Sequence, residues 1–196
     1  MAERPPRWAW AGVAALLGVM ALIAWPLAPS RLDWQPALAL SQPWRAWSAV
    51  AIHYSALHLA ANLAGALLVG ALGHVAHAPP RSVVAWLVAW PLTQAALLVE
   101  PELLHYGGLS GVLHAGVAVV ALHLLFVGPA RLRLIGAAIL AVLLAKVASE
   151  TPWAGALRHP AGWDIAVAPL AHASGVLTGA ACSLVAELLH RRRTKP

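Results

Sequence analysis

Cysteine and charge are both scarce in this chain. Its 196 residues include one cysteine, Cys182, which excludes an intrachain disulfide framework and a cysteine-based zinc site. Charged residues make up only 10% and hydrophobic ones 61%, against roughly 25% and 45–50% in an ordinary soluble domain. So little charge cannot cover a water-soluble globule of this size. Tandem repeats and low-complexity tracts are also missing.

What fills the chain instead is apolar sequence, in runs approaching the ~20 residues that carry a helix across a hydrocarbon core of ~30 Å. Stretches separated by proline, glycine and charge predict an all-α membrane protein, a six-transmembrane-helix bundle forming a single domain over 1–196. The spans are expected near 8–27, 55–73, 82–99, 110–127, 132–149 and 167–189. The first stretch, with Arg4 and Arg7 before it and Ala28-Pro29-Ser30 after it, resembles a cleaved signal peptide. Its apolar run exceeds a signal core, so it is expected to stay in the membrane.

The net charge of +6 is informative through its placement. With the N-terminus inside, cytoplasmic segments hold Arg4, Arg7, Arg81, Arg131, Arg133, Arg191, Arg192, Arg193 and Lys195, and outer segments only Arg31, Arg45 and Arg158. That asymmetry predicts both termini in the cytoplasm. The basic tail from His190 to Lys195 then reads as an anchor against anionic lipid, with the bilayer and not nucleic acid as its partner. Trp34, Trp44 and Trp47 with Arg31 and Arg45 place segment 30–54 on or partly in the outer interface. Segment 150–166, rich in proline, glycine and tryptophan, reads as a mobile loop over a cavity.

A polar side chain inside a span is costly and therefore a candidate for function. His58 and Asn62 lie four residues apart, on one face of the second span, where they can donate toward one point or simply join neighbouring helices. Tyr106-Gly107-Gly108-Leu109-Ser110-Gly111 is a glycine-rich turn running into the fourth span. A serine there can present a nucleophilic hydroxyl beside free amide N–H groups, or serve as an N-cap. In the sixth span, Ala171, Gly175 and Gly179 form a small-residue stripe beside His172, which is either a base or a satisfied core histidine. Lys146 and Glu150, four apart at the outer end of the fifth span, read as a structural ion pair.

Together these groups supply a nucleophile, a base and oxyanion donors on different helices, the set that acyl transfer requires. Asp33 and Asp164 are the aspartates available to orient the histidine, and neither lies in a span. The expected arrangement is therefore a Ser–His dyad.

At these residues the sequence resembles the rhomboid intramembrane serine proteases. The matching features are Trp44-Arg45 in the first loop, His58-xxx-Asn62, Gly108-Leu109-Ser110-Gly111, and Ala171-His172-xx-Gly175-xxx-Gly179, in the family's order. The resemblance implies Ser110 as nucleophile, His172 as general base and acid, and His58, Asn62 and the Ser110 amide as oxyanion hole, with no metal or cofactor. It also implies an active site below the outer surface, reached by water from that side. Where many rhomboids carry a tyrosine stacked on the catalytic histidine, this chain has His114. It is expected to support His172, so His114→Ala should weaken cleavage less than Ser110→Ala; equal, complete loss in a cleavage assay would contradict that ranking.

The block from Gly108 to His114, the Lys146–Glu150 pair and the small size are similar to the rhombosortase branch. That likeness implies a bacterial cytoplasmic-membrane enzyme with its site opening to the periplasm. Its substrates would be single-pass membrane proteins whose C-terminal tail carries a Gly-Gly motif, an apolar helix and basic residues. Other readings lack support in the sequence. There is no HExxH for a zinc membrane protease and no GxGD for an aspartyl one. A metal transporter using His53, His58, His105, His114 and His172 would lack a carboxylate well inside a span. An inactive, helix-binding relative has no need of both Ser110 and His172.

Overall fold

A computed structural model describes residues 8–193, so Arg4, Arg7 and Lys195 lie outside the described residues. The described chain is helical: α1 (Ala9–Ala24), the short α2 (Arg45–Ser48), α3 (Ala56–Val75), α4 (Pro80–Ala95), α5 (Ser110–Val127), α6 (Ala130–Ser149) and α7 (Pro169–Arg193). Strand pairing among the described residues is limited to isolated bridges, Trp34 with Tyr106 and Arg158 with Val167. Helix ends follow local chemistry. Ser55 caps α3 by accepting from the His58 N–H at 3.0 Å. Pro80 and Pro169 open α4 and α7, where a missing N–H costs nothing.

Among the described residues, five helices are long and apolar enough to cross a membrane: α3, α4 with its 3₁₀ extension to Val99, α5, α6 and α7. The expected sixth is α1, and it is apolar but only 16 residues long. At 1.5 Å per residue it reaches roughly 24 Å, short of a ~30 Å core.

Helix α5 is the most enclosed, packing against α3, α4, α6 and α7, whereas α6 is the most exposed. Tryptophans join the other helices to it. Trp10 of α1 stacks on Trp86 of α4 with ring centroids 4.3 Å apart. The Trp10 and Trp86 indoles donate to the carbonyls of Val69 on α3 and Val112 on α5, each at 2.8 Å. Each polar tip thus finds a backbone acceptor inside an apolar core.

The stripe on α7 allows its backbone to touch that of α5. A Cβ on Gly175 would collide with the Gly111 carbonyl oxygen, and one on Gly179 would lie 2.5 Å from the Ala115 carbonyl oxygen. This contact places the first turn of α7 beside the first turn of α5.

Ring contact between Trp8 and His74 marks one end of the bundle, and Arg81 meets Glu187 at 2.9 Å there. Arg131, Arg133 and Arg191 to Arg193 share that end by the alternation of helix direction. The long connections gather at the other end.

The first connection exposes only part of its aromatic and basic side chains. Trp44 and Trp47 are half-exposed, but Trp34 and Arg45 are buried, at 3% and 6% exposure. The Arg45 guanidinium donates to the carbonyl of Asp33 at 2.7 Å, to its Oδ1 at 3.3 Å and to the carbonyl of Ser30 at 3.1 Å. A fork of fixed donors meets enough folded-loop acceptors to replace its water. Asp33 is also contacted by His105 at 2.8 Å and Tyr54 at 3.3 Å, so this cluster pins the connection over the bundle.

Candidate active site

The glycine turn before α5 is fixed by that first connection. Trp34 and Tyr106 exchange backbone hydrogen bonds of 2.7 and 2.9 Å, and the Gly108 N–H donates to the Ala49 carbonyl at 3.0 Å. Gly108 adopts φ +121°, and a Cβ there would lie 2.6 Å from His58 Nε2. Only glycine satisfies both the turn and the close approach. Two residues later Ser110 is the first residue of α5, with Leu109 at the cap position, so Ser110 does not act as the N-cap. Its N–H belongs to the free amides of a helix N-terminus, where partial positive charge collects.

His58 and Asn62 project from α3 toward the same turn. Both are buried, and the position of a Gly108 Cβ lies 2.6 Å from His58 Nε2 and 3.5 Å from Asn62 Nδ2. His58 Nδ1 accepts from the Tyr54 N–H at 3.4 Å, which leaves the ring proton of the neutral imidazole on Nε2, facing the turn. Thus two side-chain N–H donors flank the segment that presents Ser110.

His172, four residues into α7, is buried, and its Nε2 lies 2.9 Å from Ser110 Oγ. The His114 ring stacks on His172 at a centroid distance of 4.3 Å and an angle of 15°. His114 Nδ1 lies 2.6 Å from the Ser110 carbonyl, to which it donates, and its Nε2 accepts from Lys146 Nζ at 2.8 Å. His114 therefore sits where a supporting ring was expected.

The third partner of His172 differs from expectation. Neither aspartate touches it: Asp33 is engaged with Arg45, and Asp164 accepts from Ser55 at 2.7 Å. Instead Glu150 Oε2 lies 2.7 Å from His172 Nδ1, while Lys146 Nζ pairs with Glu150 Oε1 at 2.8 Å. The ion pair forms as its spacing predicted, but it also reaches the histidine. Burial pushes the Glu150 carboxyl upward; hydrogen bonds from His172 and Lys146, with their charges, outweigh this and hold it at about 2. A signal for this residue existed: α6 ends on the side where α5 begins, so Glu150 shares the depth of Ser110.

These groups line one cavity of about 590 Å³ that holds Ser110, His172, His58, Asn62, His114, Lys146 and Glu150. Leu157, Pro160 and Trp163 from the connection after α6 also line it. Gly111, Gly175 and Gly179 lie behind the site at the α5–α7 contact, and Arg45 sits in the Asp33 cluster. Trp44 is exposed at the start of α2 and takes no part in the cavity. Among the described residues, no group of three or more histidine, cysteine, aspartate or glutamate side chains is placed to hold a metal ion.

A bundle of apolar helices of this length is a multi-pass membrane protein, and its cavity near one end brings Ser110, His172, His58 and Asn62 together. The family model described as Rhomboid domain matches residues 40–187, and the chain belongs to this family of intramembrane proteases. No curated protein matches the sequence.

Proposed function

We propose that the chain is an intramembrane serine endopeptidase of the rhombosortase type. It removes the Gly-Gly-containing C-terminal tail of single-pass membrane proteins. The observation that carries the reading is the 2.9 Å approach of His172 Nε2 to Ser110 Oγ in a cavity that His58 and Asn62 also line.

In this mechanism His172 Nε2 takes the Ser110 proton as Oγ attacks the scissile carbonyl. Negative charge on the carbonyl oxygen is met by the Ser110 N–H, His58 Nε2–H and Asn62 Nδ2–H. The imidazolium then protonates the leaving amine. Water, deprotonated by the same ring, frees the acyl product from Ser110 and restores the hydroxyl.

A transmembrane helix must unwind before its carbonyl can meet Ser110. Each glycine lowers that cost by ~1 kcal/mol relative to alanine, which favours a Gly-Gly tail. The basic residues at the end opposite the cavity support cytoplasmic termini and a site opening to the periplasm of a bacterial cytoplasmic membrane.

Co-expression with a reporter ending in a Gly-Gly tail tests this reading. Tail removal is expected with the native chain, at least ~10-fold less with Leu-Leu in place of Gly-Gly, since two such glycines amount to ~2 kcal/mol. Cleavage that persists in Ser110→Ala or His172→Ala would refute the protease site. Equal cutting of both tails would leave a rhomboid protease of broader specificity.

A further inference from the structure

Resting on the Ser110–His172 reading, the geometry points to Glu150 as the positioning residue that completes a Ser–His–Glu relay, with Lys146 holding its carboxylate in place. His172 can exist as either of two neutral tautomers, and the site contains a partner for each. With the proton on Nδ1, the ring donates to Glu150 Oε2 at 2.7 Å and leaves Nε2 free to accept the Ser110 proton at 2.9 Å. With the proton on Nε2, Nδ1 accepts instead from Lys146 Nζ, only 3.0 Å away, and the ring cannot act as the base for Ser110. An ionised carboxylate facing Nδ1 accepts and cannot donate, so Glu150 selects the first tautomer.

Lys146 directs two of its three N–H donors elsewhere, and Glu150 Oε2 lies closer to His172 Nδ1, at 2.7 Å, than Lys146 Nζ does, at 3.0 Å. Its ammonium donates to Glu150 Oε1 and His114 Nε2, each at 2.8 Å. His114 closes the circuit through its Nδ1–H to the carbonyl of Ser110 and its stack on His172. The groups around the ring are thus Ser110 and His114 from α5, Lys146 from α6 and Glu150 from the turn after it.

The backbone beside Glu150 is strained in a way that fixes its direction. Thr151 has φ 51°, a left-handed conformation that β-branched residues rarely adopt, and its Oγ1 is gripped by Arg158 Nη2 at 3.0 Å. The chain reverses there and leaves the Glu150 side chain in the cavity with Oε2 toward His172.

Glu150→Gln keeps the shape but lets an amide N–H face Nδ1 and frees Lys146 to do the same. Its kcat for tail cleavage should fall roughly 100-fold with KM unchanged, because the change affects proton acceptance more than substrate binding. Glu150→Asp, which keeps the carboxylate, should recover most of the loss. Ring ¹⁵N NMR of the histidine-labelled protein in micelles gives a readout independent of turnover. His172 should carry its proton on Nδ1 in the native chain and in Glu150→Asp, and on Nε2 in Glu150→Gln. A native His172 protonated on Nε2, or a Glu150→Gln kcat within threefold of native, would overturn the assignment. Ser110→Ala and His172→Ala run alongside separate the two claims. Cleavage by either defeats the Ser–His reading, whereas their inactivity beside a fully active Glu150→Gln defeats only the role of Glu150.

Discussion

Replacing Ser110 with alanine should reduce single-turnover cleavage at least ~10⁵-fold, and adding His172→Ala should remove almost nothing more. In the proposed mechanism the two side chains perform one act. Ser110 Oγ is a weak nucleophile until His172 Nε2, 2.9 Å away, takes its proton, and His172 alone has no bond to make with the substrate. Once either is absent, the covalent route closes, and only stabilisation of charge by the Ser110 amide, His58 and Asn62 remains. The check is cleavage in proteoliposomes by both single variants and the double variant, with labelling of Ser110 by a serine-directed phosphonate as a second readout. Multiplicative losses would show that the residues act independently and would contradict a shared proton transfer.

Features written as a periodicity or spacing were legible in the sequence. The apolar runs placed the starts and ends of α3, α5 and α6 within two residues, because burial in lipid leaves few ways to break a helix except polar residues, glycine and proline. His58 with Asn62, and His172 with the Gly175–Gly179 stripe, were legible because helical spacing fixes shared faces. Relations between distant segments were not. Arg45 and Trp34 carry the composition of a headgroup belt, yet Arg45 finds backbone carbonyls and Asp33, and Trp34 pairs its backbone with Tyr106. Only folding of the first connection over the glycine turn supplies those partners. Glu150 was visible through Lys146, one turn away, but its contact with His172 crosses from the end of α6 to the start of α7. The intervening 19-residue connection has no periodicity from which that meeting could be read.

The α5–α7 contact leads to the second large effect: Gly175→Val should leave little folded protein and reduce cleavage to background. In a lone helix, replacing glycine with alanine gains up to ~1 kcal/mol. Here a Cβ at Gly175 would collide with the carbonyl of Gly111 and stand 3.3 Å from the backbone nitrogen of Ala115, and backbone cannot rotate aside as a side chain can. Overpacking of this kind costs about 1–3 kcal/mol or more for extra methylenes, and valine adds its branch directly at the collision. Any relief must come by separating α5 from α7. Gly111 follows Ser110, and Gly175 is one turn beyond His172, so separation opens the very distance on which proton transfer depends. Gly175→Ala should show the same defect in milder form, with a lowered unfolding midpoint and at least ~10²-fold slower cleavage, as expected of a ~1 Å displacement. Gly12→Ala provides the contrast, because no atom lies within 4 Å of a Cβ there, and its midpoint should be unchanged or raised. Thermal unfolding in detergent, paired with cleavage rates, checks both positions. Equal tolerance at Gly175 and Gly12 would mean that the close approach of α5 and α7 does not hold the site together.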